Sequence, residues 1–171
     1  STIELPGLKG QRFDYLTVDD EDRYLLSAHL GPGILYVIDL KSHKLVNAIH
    51  GVPGVTGVEY IPGLHKAYTS NWGEEKIGVV DLTRMTVVKR LPTGSKPNGS
   101  VYAEPFRKVY VVNTLGRAAT VLNVDTDTPV KTLRFQSETG MPGYDAGLRR
   151  VFINLRSTNE IAEIDPASDT V

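Results

Sequence analysis

Hydrophobic positions along this chain come in short runs bounded by turn residues, and the runs recur. Residues 108–113 read KVYVVN; forty-two residues earlier 66–71 read KAYTSN, and forty-two later 150–155 read RVFINL. One further interval upstream, 24–29 read YLLSAH. The runs are rich in Val, Ile, Tyr and Thr, and Gly, Pro, Asp or Asn separate them, which is how β-strands joined by tight turns read. No window keeps an apolar stripe at helical spacing for three turns, so the pattern predicts an all-β chain. The second unit has room for four strands, predicted near 55–60, 66–71, 76–81 and 87–91.

Whole columns align at the interval of 42. Val18, Tyr60, Tyr102 and Tyr144 share a place in the first strand of each unit. Leu26, Tyr68, Tyr110 and Phe152 share one in the second, and Ile38, Val80, Leu122 and Ile164 one in the third. A four-stranded antiparallel unit of this length is the size of one propeller blade. A single blade cannot bury both faces, so successive units must stack about an axis. The prediction is a β-propeller with about four blades, at 13–50, 55–92, 97–134 and 140–171, the last incomplete. Residues 2–5 read as the outer strand of a preceding or closing blade. The column Asp39, Asp81, Asn123 and Asp165 ends each third strand. Asp and Asn at such a place accept backbone N–H bonds two residues on, so the column is structural rather than catalytic. The tyrosine columns are predicted to be inter-blade core.

The best copy of the unit runs Lys76-Ile77-Gly78-Val79-Val80-Asp81, then Thr86-Val87-Val88-Lys89-Arg90-Leu91-Pro92-Thr93-Gly94, then Lys96-Pro97-Asn98-Gly99, and closes on Val109-Tyr110-Val111-Val112-Asn113. This pattern resembles the YVTN β-propeller repeat of bacteria and archaea, from Phe13 onward. The first and fourth copies depart from it, with His29 and Leu155 where Asn113 stands in the third. The resemblance implies a ring of about seven blades, roughly half of which this chain would supply, and a periplasmic or extracellular location. On that reading further blades, or a second copy, complete the ring; a tightly curved four-blade closure is the other alternative.

Composition narrows the chemistry. The chain of 171 residues carries 19 basic and 20 acidic side chains, a net charge of −1, so no overall field draws it to nucleic acid or an anionic membrane. With no cysteine, thiolate nucleophiles, disulfides and Cys-based metal sites are excluded. The longest apolar runs, such as Ile34–Ile38, are about five residues, far short of a membrane span. Four histidines are spread along the chain and form no ligand cluster. No nucleotide-binding glycine loop or nucleophile elbow occurs.

Propellers bind ligands at the mouth of the central channel, so non-repeated polar residues in the loops there are the candidates. They are Arg12, Asp14, His29, Asn71, Trp72, Lys96, Asn98, Asn113 and Arg156, with Arg117, Glu138 and Asn159 beside them. Arg12, Lys96 and Arg156 would make a positive mouth for an anionic ligand if they converge. Trp72, the only tryptophan, offers a face for a sugar, base or cation. The expected function is a non-enzymatic binding or scaffold propeller, with no cofactor, that holds a protein or a small anionic ligand at the channel mouth. The alternative that the resemblance implies is a metal- or cofactor-dependent propeller enzyme, lactonase-like or reductase-associated.

Overall fold

The computed structural model describes residues 2–171. The chain folds into four antiparallel sheets that follow one another in sequence. The first holds β1 (Leu16–Asp19), β2 (Tyr24–His29), β3 (Ile34–Asp39) and β4 (Lys44–Ile49). The second holds β5 (Val55–Ile61), β6 (Lys66–Asn71), β7 (Lys76–Asp81) and β8 (Thr86–Pro92). The third holds β9 (Pro97–Ala103), β10 (Lys108–Asn113), β11 (Ala118–Asn123) and β12 (Thr128–Arg134). The fourth has three strands, β13 (Thr139–Asp145), β14 (Arg150–Leu155) and β15 (Glu160–Ile164), and beyond them an isolated bridge from Asp165 to Thr170. Each sheet is a meander with its strands in chain order. This is the β-propeller arrangement.

The turns explain why the strands stop where they do. Asp39 Oδ1 accepts the backbone N–H groups of Lys41 and Ser42, and Asp81 Oδ1 those of Thr83 and Arg84. Asn123 Oδ1 does the same for Asp125 and Thr126, and Asp165 Oδ1 takes Ala167. The repeated acid column is therefore a set of turn brackets. Each of these turns closes on a residue in the left-handed region, His43, Met85, Asp127 or Asp169.

Successive sheets pack face against face, and three apolar clusters fill the gaps. Leu26, Leu35 and Val37 meet Val58, Tyr60 and Val80 between the first two sheets. Tyr68, Ile77 and Val79 meet Val109, Val111 and Leu122 between the second and third. Tyr110, Val112 and Val121 meet Val151, Ile153 and Ile164 between the third and fourth. Burial follows from this stacking. β6, β7, β10 and β11 are buried at nearly every position, because a sheet lies on each side. In β14 and β15 buried and accessible positions alternate, because only one face is covered.

A polar interlock recurs at two of the three interfaces. Lys66 Nζ and Tyr68 Oη in β6 both donate to Asp127 Oδ1 in the turn after β11. Forty-two residues on, Lys108 Nζ donates to Asp169 Oδ2 and Tyr110 Oη to Asp169 Oδ1. At the first interface the same places hold Tyr24, Leu26 and Met85, which pack as apolar side chains.

Residues 2–5, expected as the outer strand of a preceding or closing blade, form no ladder with the described residues. A strand needs a neighbour to take its backbone hydrogen bonds, and among the described residues none lies alongside. The segment instead lies over the outward face of the first sheet, where Tyr36 Oη donates to the Pro6 carbonyl. Among the described residues no helix is long and apolar enough to cross a membrane.

Candidate functional site

The inner strands β1, β5, β9 and β13 line the axis of the stack. Their first residues lie at the linkers between sheets, and their last residues at the turns that lead into the second strands. The axis therefore has a linker end and a hairpin end.

The residues expected to form the site lie at the linker end, and the structure disperses them. Arg12 pairs with Asp14 on the first sheet at 2.8 Å. Trp72 and Lys96 come together, with the Lys96 ammonium 5.2 Å from the indole centroid and 3.4 Å from the Trp72 carbonyl. Arg117 and Asn159 stand exposed at turn positions with positive φ. Arg156 is exposed, and its backbone N–H donates to the Glu138 carbonyl.

Three of the expected site residues are buried. Asn71 and Asn113 are fully buried. Asn71 Nδ2 donates to Glu74, while Asn113 accepts from Thr93 and donates to Thr120. These amides anchor loops and present no accessible polar atom to a ligand. His29 is only 4% exposed and lies on the outward face of the first sheet, its ring stacked on Phe13 at 3.8 Å. Burial holds its pKa below the usual histidine range, with the Gln11 backbone acting weakly the other way.

Between the two ends the inner strands close together on one column. Tyr15, Gly57, Gly99 and Met141 stand at the interval of 42. A Cβ on Gly57 would fall 2.2 Å from the Asn98 carbonyl oxygen, so glycine is what lets β5 and β9 approach there. A Cβ on Gly99 would meet Tyr15 Oη at 2.8 Å. The Tyr15 phenol thus fills the space above Gly99, and its hydroxyl donates to Met141 Sδ on the fourth sheet. First and fourth sheets touch across the axis at this contact.

At the hairpin end the inner strands splay again and leave a cavity of about 360 Å³. Tyr60, Tyr102 and Tyr144, one from each of three successive sheets, form part of its wall. Asp20, Glu21, Glu59 and Glu104 bring four carboxyl groups to the same cavity. Glu59 is the unusual one. Its column reads Thr17, Glu59, Val101 and Gly143, so the repeat itself asks for no acid there. Glu59 Oε1 accepts the Tyr102 backbone N–H at 3.0 Å. Burial nevertheless dominates and pushes its pKa up to about 8. Glu21 is fully engaged, accepting from Tyr60 Oη through one oxygen and from the Gly63 N–H through the other. Burial, and then that bond to Glu21, raise the Tyr60 pKa. The Tyr144 hydroxyl is buried and has no hydrogen-bond partner.

Sequence reasoning passed over this cavity. The tyrosine column does pack as inter-blade core, Tyr60 within the first apolar cluster and Tyr102 and Tyr144 against the next two, but nothing singled out Glu59 beside it. The signal was present as an acid in a column of otherwise uncharged residues, midway along an inner strand. Among the described residues no group of three or more His, Asp and Glu side chains is placed to hold a metal ion.

No family model matches the sequence, and no curated protein matches it. Among solved structures, Kuenenia stuttgartiensis hydrazine synthase is similar with a TM-score of 0.83 at 15% sequence identity. The match covers 96% of this chain and 51% of that one, so the chain spans about half the length of the structure it matches. At this identity the likeness bears on the fold alone.

Proposed function

We propose that the protein is a binding propeller of the YVTN-repeat type, whose ligand sits at the hairpin end of the axis rather than among the linker loops. The observation that carries this is Glu59, a half-buried carboxyl lining a cavity, where the repeat asks for no acid and its protein partner is the Tyr102 backbone N–H. Burying an acid costs stability unless it is paired. Glu59 has a single backbone donor as compensation, so its retention is better explained by a ligand than by folding. The linker-end residues support the reading in that they are dispersed, with Arg12 paired to Asp14, Lys96 lying over Trp72 and Asn113 buried against Thr93 and Thr120. A scaffold role and a periplasmic or extracellular location belong to the same proposal and rest on the repeat resemblance.

The test is a protein-observed NMR titration with a panel of small anions, cations and polyols, without added metal. Saturable shifts should cluster at Glu59, Tyr102 and Tyr144, and Tyr102→Ala should abolish them. The ligand should be recovered chemically unchanged. Shifts confined to Trp72, Lys96 and Arg156, or turnover of the ligand, would overturn the proposal.

A further inference from the structure

We infer that the hairpin-end cavity takes an organic cation, an alkylammonium or guanidinium group, held against Tyr102 and Tyr144 and the carboxyl of Glu59. The inference rests on the reading of this cavity as the binding site and names the class of ligand.

The first argument is charge. Four carboxyl groups line the cavity and no Lys, Arg or His does. The nearby Arg107 is already committed. Its Nη2 and Nε donate to Asp125 at 2.5 and 3.1 Å, and its Nη1 donates to Tyr102 Oη at 2.9 Å. An anion entering the cavity would meet the carboxyl groups of Asp20, Glu21 and Glu104 with no basic side chain in the wall, whereas a cation would be drawn in.

The second argument is the aromatic wall. Tyr60 is packed into the first apolar cluster and gives the cavity little surface, but Tyr102 and Tyr144 are only partly buried and border it, and a tyrosine ring attracts ammonium and guanidinium groups most strongly where water is excluded. A bare metal ion would need several oxygens converging at short range, and among the described residues no such group of acids forms. The volume also suits an organic group, since about 360 Å³ lies in the range of small-molecule sites. The buried, unpartnered Tyr144 hydroxyl is a third feature, as it stands ready to accept a hydrogen bond from an N–H donor.

The arrangement couples binding to pH. The groups facing Glu59 are Asp20 and Glu21 from the first sheet, Tyr60 on its own strand, Tyr102, Glu104 and Arg107 from the third sheet, and Tyr144 from the fourth. With its pKa pushed up to about 8, Glu59 is protonated in the empty site at neutral pH. A cation favours the ionised carboxylate, so binding releases a proton. Affinity should rise about tenfold per pH unit between pH 6 and 7 and level off above about 8.

The experiment is calorimetric and NMR titration with agmatine, which carries both an ammonium and a guanidinium group, at pH 6.0, 7.0 and 8.5. Separate arms use butylammonium, butylguanidinium and a lysine-tipped peptide, to tell which group is preferred and whether it arrives free or on a side chain. Acetate and glycerol serve as anionic and neutral probes. The expected result is saturable agmatine binding that tightens with pH, weakens at least tenfold in E59Q and loses its pH dependence there. Tyr144→Leu, at the end of β13, should weaken binding without unfolding the protein, and unchanged Trp72 fluorescence checks that. Binding of acetate or glycerol in preference to the cations overturns the ligand class while the cavity reading stands. Absence of binding by every probe overturns both. Agmatine binding that is independent of pH overturns the role given to Glu59 and the inference with it.

Discussion

Replacing Asp127 by alanine tests the interlock between the second and third sheets. The Asp127 carboxylate receives Lys66 Nζ at 2.8 Å and the Tyr68 hydroxyl. Tyr68 is 1% exposed, and the Lys66 and Asp127 side chains are 14% and 25% exposed. Removing the acceptor loses two charge-assisted hydrogen bonds and strands the Tyr68 hydroxyl out of water. Breaking one partner of a buried pair costs about 3–5 kcal/mol. Lys66 keeps a second acceptor in the Val124 carbonyl at 2.7 Å, which places the expected loss at the low end, about 3 kcal/mol. For a chain of this size that is roughly 6–12 °C in Tm.

Urea unfolding followed through Trp72 fluorescence gives the measurement, because that ring lies beside Lys96 where these two sheets meet. Asp127 also sits at φ 51°, so alanine brings a backbone term of its own. His43→Ala measures that term, since His43 holds the same turn position at φ 55° in the first sheet without the interlock. Asp127→Asn keeps an acceptor and should cost about 1 kcal/mol. Tyr68→Phe in the Asp127→Ala background removes a stranded hydroxyl, so the two changes together should cost at least about 1 kcal/mol less than their sum. An Asp127→Ala protein within about 0.5 kcal/mol of the parent, or strict additivity with Tyr68→Phe, would refute the reasoning.

Two further outcomes follow from the axis. Gly57→Ala sets a Cβ against the Asn98 backbone, while Gly99→Ala meets mainly the tip of Tyr15. The first should lower stability by about 3 kcal/mol or prevent folding, and the second by about 1 kcal/mol, since a side chain gives way where backbone does not; equal losses in thermal unfolding would contradict the crowding described. Glu59, with its folded pKa raised to about 8 from an ordinary value of 4.5, binds a proton in the folded state that the unfolded chain releases. Its stabilising contribution is whole below about pH 4.5 and is lost as pH rises to about 8, on the order of 1 kcal/mol per pH unit. Glu59→Gln should therefore flatten the stability profile measured by urea midpoints between pH 5 and 8; an unchanged slope would show that Glu59 is not the group responsible.

The repeat columns carried the fold because each one records a local demand that every blade must meet. Asp39, Asp81, Asn123 and Asp165 bracket a turn with their own side chains, and the second-strand column Leu26, Tyr68, Tyr110 faces the next sheet. Such demands act over a few residues or one interval of 42, so they leave a legible pattern. Residues 2–5 suit a strand by sequence, but a strand exists only where another lies beside it, so that expectation turns on neighbouring blades rather than on a local pattern.

The candidate site was largely hidden. His29, Asn71 and Asn113 stood out as polar residues closing the second strands, yet all three are buried, His29 stacked on Phe13 and the two amides bonded to Glu74, Thr93 and Thr120. The sequence by itself determined the sheets, their order and their turns, through alternation, turn chemistry and period. Only the tertiary structure decided which end of the axis is filled and which is hollow. Tyr15 reaching Met141 joins residues three repeats apart, and the environment of Glu59 is assembled from neighbouring sheets. Burial and electrostatics at the axis depend on groups distant in the chain, and no local pattern encodes their convergence.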